Sequence, residues 1–277
     1  MNDNAALARI VQLLDRLSGP QQGQSTLNRL LQSDDPIASI AHDVAASPAF
    51  EQLYKLVRTV GIKSGGRKEA DPTFVGLPDL DPELPFDEQF DRFFFPRLRA
   101  RAEGFATIFR SLPRAPEKLL ILETGCLRIP RNWEGDGQST FMFDALARVR
   151  GGFFFSIDVT LESIETARRA CSSSTNLILG DSVTTLHNFG ALITRPANLL
   201  YLDSYDLDPQ NPMPSAIHHA MELIAAQPLI GPGTIVCVDD YSVGPKVGGK
   251  GLLLDLYFSR IRAEVLHSGY QKVWRLS

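Results

Sequence analysis

This sequence of 277 residues has only three cysteines and no long hydrophobic run. Cys126, Cys171 and Cys237 lack the Cys-x-x-Cys spacing of many zinc and redox sites, so we expect reduced thiols in a reducing compartment. No stretch approaches the roughly 18 consecutive apolar residues of a membrane span. The first residues form neither a charged nor an apolar leader. These absences predict a cytoplasmic protein without a membrane partner.

A strong excess of one charge sign is also missing. The chain has 28 lysines and arginines against 32 aspartates and glutamates, a net charge of −4, so nothing global attracts nucleic acid. With 44% hydrophobic residues, the chain can bury a full core as one large domain or as one domain with an appendage.

The first 115 residues have mainly helical patterns. Apolar residues recur at helical spacing in 6–17, and further helical pieces are predicted at 25–33, 36–46 and 48–60. An extended connector over 70–87 precedes a helix over 88–112, which Pro96 should kink or break. We interpret the basic segment 97–101 as solvated helix surface. Residues 1–115 are thus predicted to form a helical region. Its role, as a lid or as an oligomerisation surface, is assigned by analogy only.

From residue 118 the pattern changes to strands that alternate with helices. Strands are predicted at 118–123, 153–158, 176–180, 198–203 and 234–239, and helices at 139–149, 161–171, 182–190, 214–226 and 250–260. Two strand-like segments around Gly269, 262–268 and 270–276, predict a terminal hairpin that adds an antiparallel strand. Residues 116–277 should therefore form an α/β domain with a doubly wound, mainly parallel, seven-stranded sheet.

Each of the five parallel strands ends in or leads into a carboxylate. These are Glu123, Asp158, Asp181, Asp203 and the pair Asp239–Asp240. Because a ligand crevice lies at the carboxyl ends of the strands in such sheets, we expect the acids to converge on one edge. An aspartate can instead cap the following helix, and for Asp181 cap and ligand are equally good interpretations.

The first turn, Glu123-Thr-Gly125, and Asp158 after the second strand form the frame of a nucleoside site. An acid at the end of the second strand can accept hydrogen bonds from a ribose diol. A dinucleotide fingerprint, Gly-x-Gly-x-x-Gly, is absent.

With Gly180-Asp181-Ser182 after the third strand and the terminal hairpin, residues 118–277 resemble the class I S-adenosylmethionine-dependent methyltransferases. The resemblance implies that Glu123 and Gly125 lie near the methionine part of S-adenosylmethionine, that Asp158 binds the ribose, and that Asp181 and Ser182 lie near the adenine. Residues 127–134 depart from the family's short first turn, so we interpret Gly137 and Ser139 as the resumed turn and helix start. The insertion, with Arg128, Arg131 and Trp133, is either a lid over the ligand or a plain solvated loop.

Two segments are similar to a narrower group, the metal-assisted O-methyltransferases that act on sugars of macrolide and aminocoumarin antibiotics. They are 201–206, with Asp203, and 238–241, with Asp239 and Asp240. Three carboxylates at neighbouring strand ends would repel one another without a cation or protons, and hard oxygen ligands suit Mg²⁺ or another divalent cation. The alternative is that Asp240 binds the loop and that no metal is present.

The general base is open at this point. In the antibiotic-sugar group a histidine lies two residues beyond the first metal acid, and here that position is Tyr205. The candidates are Asp203 itself, Lys250 between glycines that would leave it mobile, and His218 or His219 on the helix after the fourth strand.

Together these features predict a methyltransferase that transfers the methyl group of S-adenosyl-L-methionine to a hydroxyl of a small molecule, a sugar or glycosylated metabolite, with help from a divalent metal. A homo-oligomer is compatible with this prediction. Two alternatives stay open. One is a non-catalytic methyltransferase-like binding module, and the other, disfavoured by the missing fingerprint and the hairpin, is an NAD(P)-dependent oxidoreductase.

Overall fold

The computed structural model describes residues 69–114, 118–243 and 246–277. The helices predicted before residue 61 lie outside these ranges. The contacts discussed below lie within one compact unit, formed by Gly65–His187 and Pro196–Ser277. Among the helices of the described ranges, none has the length and apolar character needed to span a membrane.

The predicted helix over 88–112 is present but broken. It comprises α1 (Phe86–Gln89), a π-helical turn (Phe90–Phe94), two 3₁₀ turns (Phe95–Arg97 and Arg99–Arg101) and α2 (Ala102–Ser111). Pro96 lies in the first 3₁₀ turn, and the gap follows at Leu98, before Arg99 with φ +51°. The predicted break thus falls two residues after the proline, which has no N–H to donate to the preceding turn.

The second half alternates as the sequence predicts. Its elements are β1 (Leu119–Thr124), α3 (Ser139–Arg150), β2 (Gly152–Asp158), α4 (Leu161–Ala170), β3 (Asn176–Leu179), α5 (Ser182–Gly190), β4 (Leu199–Leu202), α6 (Met213–Ala225) and β5 (Ile235–Val238). A small ribbon of β6 (Ser242–Val243) and β7 (Lys246–Val247) precedes α7 (Leu252–Arg260), β8 (Glu264–Ser268) and β9 (Lys272–Arg275).

The seven-stranded sheet has the order β3-β2-β1-β4-β5-β9-β8. Strands β1 to β5 are parallel, whereas β9 pairs antiparallel with both β5 and β8. The predicted doubly wound, mainly parallel sheet with its terminal hairpin is thereby confirmed. Because β1 lies between β2 and β4, the strand order reverses there, which is where such sheets open a ligand crevice.

One face of the sheet is covered by aromatic side chains from α2 and α3. Phe105 stacks on Tyr201 of β4 at 5.5 Å between ring centroids, and Phe143 meets the same tyrosine edge-on at 5.2 Å. Residues 70–112 thus share a hydrophobic core with β1, β4 and β5. The boundary predicted at residue 115 falls between α2 and β1, both of which contribute to this core.

Helices α6 and α7 pack against each other. Phe258 of α7 lies on Trp274 of β9, with ring centroids 4.8 Å apart, and both side chains are fully buried. Because β1 to β5 run parallel, the polar side chains beyond their ends lie along one edge of the sheet.

Candidate active site

A small polar cleft of about 20 Å³ lies at the edge where the strand order reverses. It is lined by Gly125, Cys126, Arg128, Asp136, Ser139, Asp158, Asp203 and Ser204. Three residues predicted to bind the cofactor (Gly125, Ser139, Asp158) and one predicted to be catalytic (Asp203) thus share a single cleft. They come from β1, α3, β2 and β4, which are far apart in the sequence.

Gly125 is the residue that lets the first turn pass under the end of β4. Its φ is +80°, and a Cβ at this position would lie 2.4 Å from the carbonyl oxygen of Asp203. Its N–H donates to the carbonyl of Ile157 at 2.8 Å. Glycine is therefore required by the backbone itself, whether or not a ligand is bound.

Asp158 lines the cleft and binds two backbone N–H groups. Its Oδ2 accepts the N–H of Cys126 at 3.1 Å, and its Oδ1 accepts the N–H of Thr160 at 2.7 Å. Since a carboxylate has about four acceptor positions, it can still receive ribose hydroxyls. Burial and Asp158 raise the pKa of the Cys126 thiol, which makes this cysteine an inert part of the wall.

Glu123 is fully buried and does not line the cleft. Burial raises its pKa to about 7, although hydroxyls including that of Ser156, which donates to Oε2 at 2.5 Å, act in the opposite direction. Its predicted contact with the cofactor stays a prediction.

Asp181 and Ser182 lie at the start of α5, outside the cleft lining. Asp181 Oδ2 accepts the N–H of Thr184 at 2.7 Å, a helix-capping bond that, with the Thr184 hydroxyl, lowers the pKa of Asp181. Ser182 Oγ lies 3.2 Å from His218 Nε2. The cap interpretation of Asp181 is therefore visible in the structure, and the adenine contact of both residues remains to be tested.

The insertion after β1 is anchored rather than free. Trp133 is buried, donates from Nε1 to the carbonyl of Val75 at 2.7 Å, and stacks on Phe94. At the other end Arg128 Nη1 reaches Asp206 in the loop after β4 at 2.7 Å. Arg128 is itself a lining residue, so this ion pair joins the insertion to the opposite side of the cleft.

The acids after β4 and β5 converge as predicted. Asp203, Asp239 and Asp240 each place a carboxylate oxygen within 4.8 Å of the others. We call these three residues the acidic triad. Asp239 is fully buried, and Asp203 and Asp240 are partly exposed.

Arg101 binds the buried member of the acidic triad. Its Nε lies 2.9 Å and its Nη2 2.8 Å from Asp239 Oδ2, and the guanidinium also donates to the carbonyls of Glu134 and Gly135 at 2.5 and 3.2 Å. Burial alone would lower the pKa of Arg101, but Asp239 outweighs it and raises the pKa. The interpretation of 97–101 as solvated surface is wrong for this residue, which is 4% exposed.

Lys250 binds the other two acids. Its ammonium donates to Asp203 Oδ1 and lies 3.1 Å from Asp240 Oδ2, and the residue is 1% exposed. The neighbouring Gly249 has φ +43°, and a Cβ there would lie 2.0 Å from the carbonyl oxygen of Asp240. The sequence suggested that the flanking glycines would leave the lysine mobile. In the structure they do not. They let the backbone pack closely enough to seat it.

The acidic triad meets the distance requirement of a divalent-metal site but not its need for free donors. Arg101 and Gln271, whose Nε2 donates at 2.9 Å, engage both oxygens of Asp239. Lys250 lies between Asp203 and Asp240, where a metal would bridge them. The residues as arranged therefore do not fit a divalent cation.

Asp203 is the base candidate with direct access to the cleft. Burial and the neighbouring Asp239 and Asp240 raise its pKa well above the ordinary range against the opposing effect of Lys250. Lys250 and Tyr270 lower the pKa of Asp240 although burial acts against them. Of these two acids, Asp203 is thus the better proton acceptor.

The two histidine candidates lie on α6 beyond the cleft lining. His218 Nε2 is 3.4 Å from Glu222, whose hydrogen bond raises the pKa of His218. His219 is fully buried with Nδ1 at 2.7 Å from the carbonyl of Ser215, and burial lowers its pKa to about 4. Ser204, which does line the cleft, donates to Glu222 at 2.6 Å. The role of His218 as base remains a prediction.

Sequence reasoning missed Arg101, Tyr270 and Gln271. Tyr270 donates to Asp240 Oδ1, and its ring lies 4.5 Å from the Arg101 guanidinium. The signal was indirect, since three acids at neighbouring strand ends require cations from elsewhere in the chain. Which of the basic residues supplies them is a tertiary question.

Comparison with known proteins finds no matching family model and no curated protein that matches in sequence. Among solved structures, the chain is similar to an O-methyltransferase from Bacillus cereus in complex with SAH, at 12% identity, a TM-score of 0.40, and coverage of 81% of this chain and 90% of that one. It is also similar to CalS11, a TDP-rhamnose 3'-O-methyltransferase of calicheamicin biosynthesis, at 16% identity, a TM-score of 0.41 and coverage of 83% and 95%. A third is the MycE methyltransferase of mycinamycin biosynthesis in complex with Mg and SAH, at 15% identity, a TM-score of 0.42 and coverage of 76% and 56%.

Proposed function

We propose that this chain is a class I S-adenosylmethionine-dependent O-methyltransferase that methylates a hydroxyl of a small molecule. Sugars and glycosylated metabolites are the acceptor class to test first, because of the resemblance of segments 201–206 and 238–241 to the antibiotic-sugar enzymes. The observation that carries the proposal is the shared cleft. Asp158, the ribose acid, and Asp203, the base, line the same opening at the point where the strand order reverses.

The proposed reaction needs a methyl donor within reach of the acceptor oxygen and a base within reach of its proton. S-adenosylmethionine supplies the methyl group when it is bound. Asp158 orients the ribose, and Gly125 keeps the first turn against the end of β4 so that no side chain separates cofactor and acceptor.

With S-adenosylmethionine bound, Asp203 would take the proton from the acceptor hydroxyl as the hydroxyl oxygen attacks the methyl carbon, the bond from that carbon to sulfur breaks, and S-adenosylhomocysteine leaves. Lys250 holds Oδ1 of Asp203, and among the described residues Oδ2 has no hydrogen-bond partner. Oδ2 is therefore the oxygen available to the acceptor. The raised pKa of Asp203 makes its carboxylate a stronger base than an exposed aspartate.

The divalent metal predicted from the sequence is not part of the proposed mechanism. It stays a prediction, and the protein cations that occupy the acidic triad argue against it.

The first test is calorimetric titration with S-adenosylmethionine. We expect the wild-type chain to bind, and Asp158→Ala to weaken binding by roughly tenfold or more, because it loses a charge-assisted hydrogen bond of about 1.5–3 kcal/mol. Asp158→Asn keeps an acceptor for Thr160 but loses the charge, so its affinity should fall between the two. Asp87→Ala, an exposed carboxylate on α1, is the matched control.

Transfer itself is measured with isotopically labelled S-adenosylmethionine and a panel of hydroxylated and glycosylated acceptors. Product that disappears in Asp203→Asn supports the proposal. Unchanged cofactor affinity in Asp158→Ala would show that the acid after β2 has been misassigned. Cofactor binding without transfer to any acceptor would favour the non-catalytic module, and binding of NAD(P) instead would favour the oxidoreductase.

A further inference from the structure

We propose that Lys250 is the resident cation of the acidic triad and takes the place that a divalent metal would otherwise have. The inference concerns the same cleft and rests on the proposed function only for its catalytic consequence. The affinity of the chain for a divalent metal can be measured without any acceptor.

The position of the Lys250 ammonium carries the argument. It lies between Asp203 and Asp240, bonded to one oxygen of each, and is sealed from solvent. An ion that bridges these carboxylates would have to occupy the same space. Since oxygen ligands of Ca²⁺ or Mg²⁺ lie about 2.0–2.6 Å from the ion, a metal cannot bind the two oxygens that the ammonium already holds.

Displacement of the ammonium is opposed by the surrounding backbone. Gly249 lets the chain pack against the carbonyl of Asp240, and a Cβ on Gly251 would lie 2.6 Å from the side chain of Val238. Lys250 therefore projects from a tightly packed segment. Moving its side chain away would leave it without the two carboxylates that compensate its buried charge.

The third acid is already engaged by a different cation. Arg101 holds Asp239 through two nitrogens and is itself fixed by the carbonyls of Glu134 and Gly135. Of the three acids, Asp203 is the one that lines the cleft, and Lys250 holds its Oδ1. Lys250 is thus a positioning residue that fixes the orientation of Asp203.

Manganese titration followed by electron paramagnetic resonance tests this assignment, because bound Mn²⁺ loses the sharp six-line signal of the free ion. We expect no stoichiometric binding by the wild-type chain at millimolar Mn²⁺. Lys250→Ala frees two carboxylates and removes a positive charge at contact distance, so Mn²⁺ affinity should rise by at least about tenfold. A second substitution, Lys250→Ala with Asp203→Asn, should abolish the gain.

Lys272→Ala is the matched control. Lys272 pairs with Asp255 at 2.5 Å outside the acidic triad, so its removal should create no manganese site. Titration of each variant with S-adenosylmethionine reports separately on the cofactor cleft, so failure of the proposed function and failure of this inference are distinguishable.

Two results would overturn the inference. One is stoichiometric Mn²⁺ binding by the wild-type chain that Asp239→Asn abolishes, a measurement that does not depend on any lysine variant folding. The other is a folded Lys250→Ala protein that still binds no Mn²⁺, since the ammonium would then not be what excludes the metal.

Discussion

Removal of the Arg101 guanidinium should expose the energetic role of the contact between the 3₁₀ turn before α2 and Asp239 after β5. Arg101→Met keeps an apolar stem of similar reach but leaves Asp239 as a buried carboxylate without its cation. Taking one partner from a buried ion pair destabilises a protein by about 3–5 kcal/mol. Gln271 still donates to Asp239 in the variant, so we expect the lower end, about 3 kcal/mol.

Thermal and urea unfolding of the same variants give the measurement. A loss of about 3 kcal/mol corresponds to a fall in Tm of roughly 6–12 °C for a chain of this size. Arg99→Met is the matched control, since Arg99 is an exposed arginine two residues away and its substitution should stay within about 0.5 kcal/mol.

A double-mutant cycle separates the ion pair from ordinary packing. In an Asp239→Asn background the carboxylate charge is gone, so Arg101→Met should be less destabilising by at least about 1.5 kcal/mol. Additive effects, or an Arg101→Met protein as stable as Arg99→Met, would refute the assignment of Arg101 as the counter-ion of Asp239.

Two further predictions concern stability. The pKa of Glu123 is raised to about 7 from 4.5, so the folded state binds a proton more tightly than the unfolded one, and stability falls as pH rises through that window. The free energy of unfolding of Glu123→Gln should match that of the wild type near pH 4.5 and exceed it by about 3 kcal/mol above pH 7. Urea unfolding across this pH range measures the difference, and parallel pH profiles of the two proteins would contradict the prediction. Gly249→Ala should lower the free energy of unfolding by more than Gly233→Ala does. Both glycines have positive φ, which costs about 1–2 kcal/mol for a residue with a Cβ. A Cβ on Gly233 meets nothing within 4 Å, whereas one on Gly249 meets the carbonyl of Asp240. Equal losses of stability would show that the contact with Asp240 adds nothing to the cost.

Much of the fold follows from local patterns. The apolar runs of β1, β4 and β5 are buried at every position, as central parallel strands require, and β9 pairs antiparallel as the terminal hairpin predicted. The helix is irregular around Pro96 and interrupted at Leu98, because the missing N–H of proline acts within one turn of the chain. The helices predicted before residue 61 lie outside the described residues.

The candidate site divides in the same way. The position of Asp158 and of the acidic triad at one sheet edge follows from the sequence, because strand polarity alone places the carboxyl ends together. The capping bond of Asp181 was one of two interpretations that the residue order allowed.

What only the tertiary structure decided is which cations accompany these acids. Arg101 lies 138 residues before Asp239. Lys250 was predicted to be mobile between glycines, but these glycines pack against Asp240 and Val238 and hold it in place. The physical reason is the range of the interactions. Strand burial and helix breaks are set within a few residues, whereas the pairing of a buried charge is set by whichever side chain the folded core brings within about 3 Å.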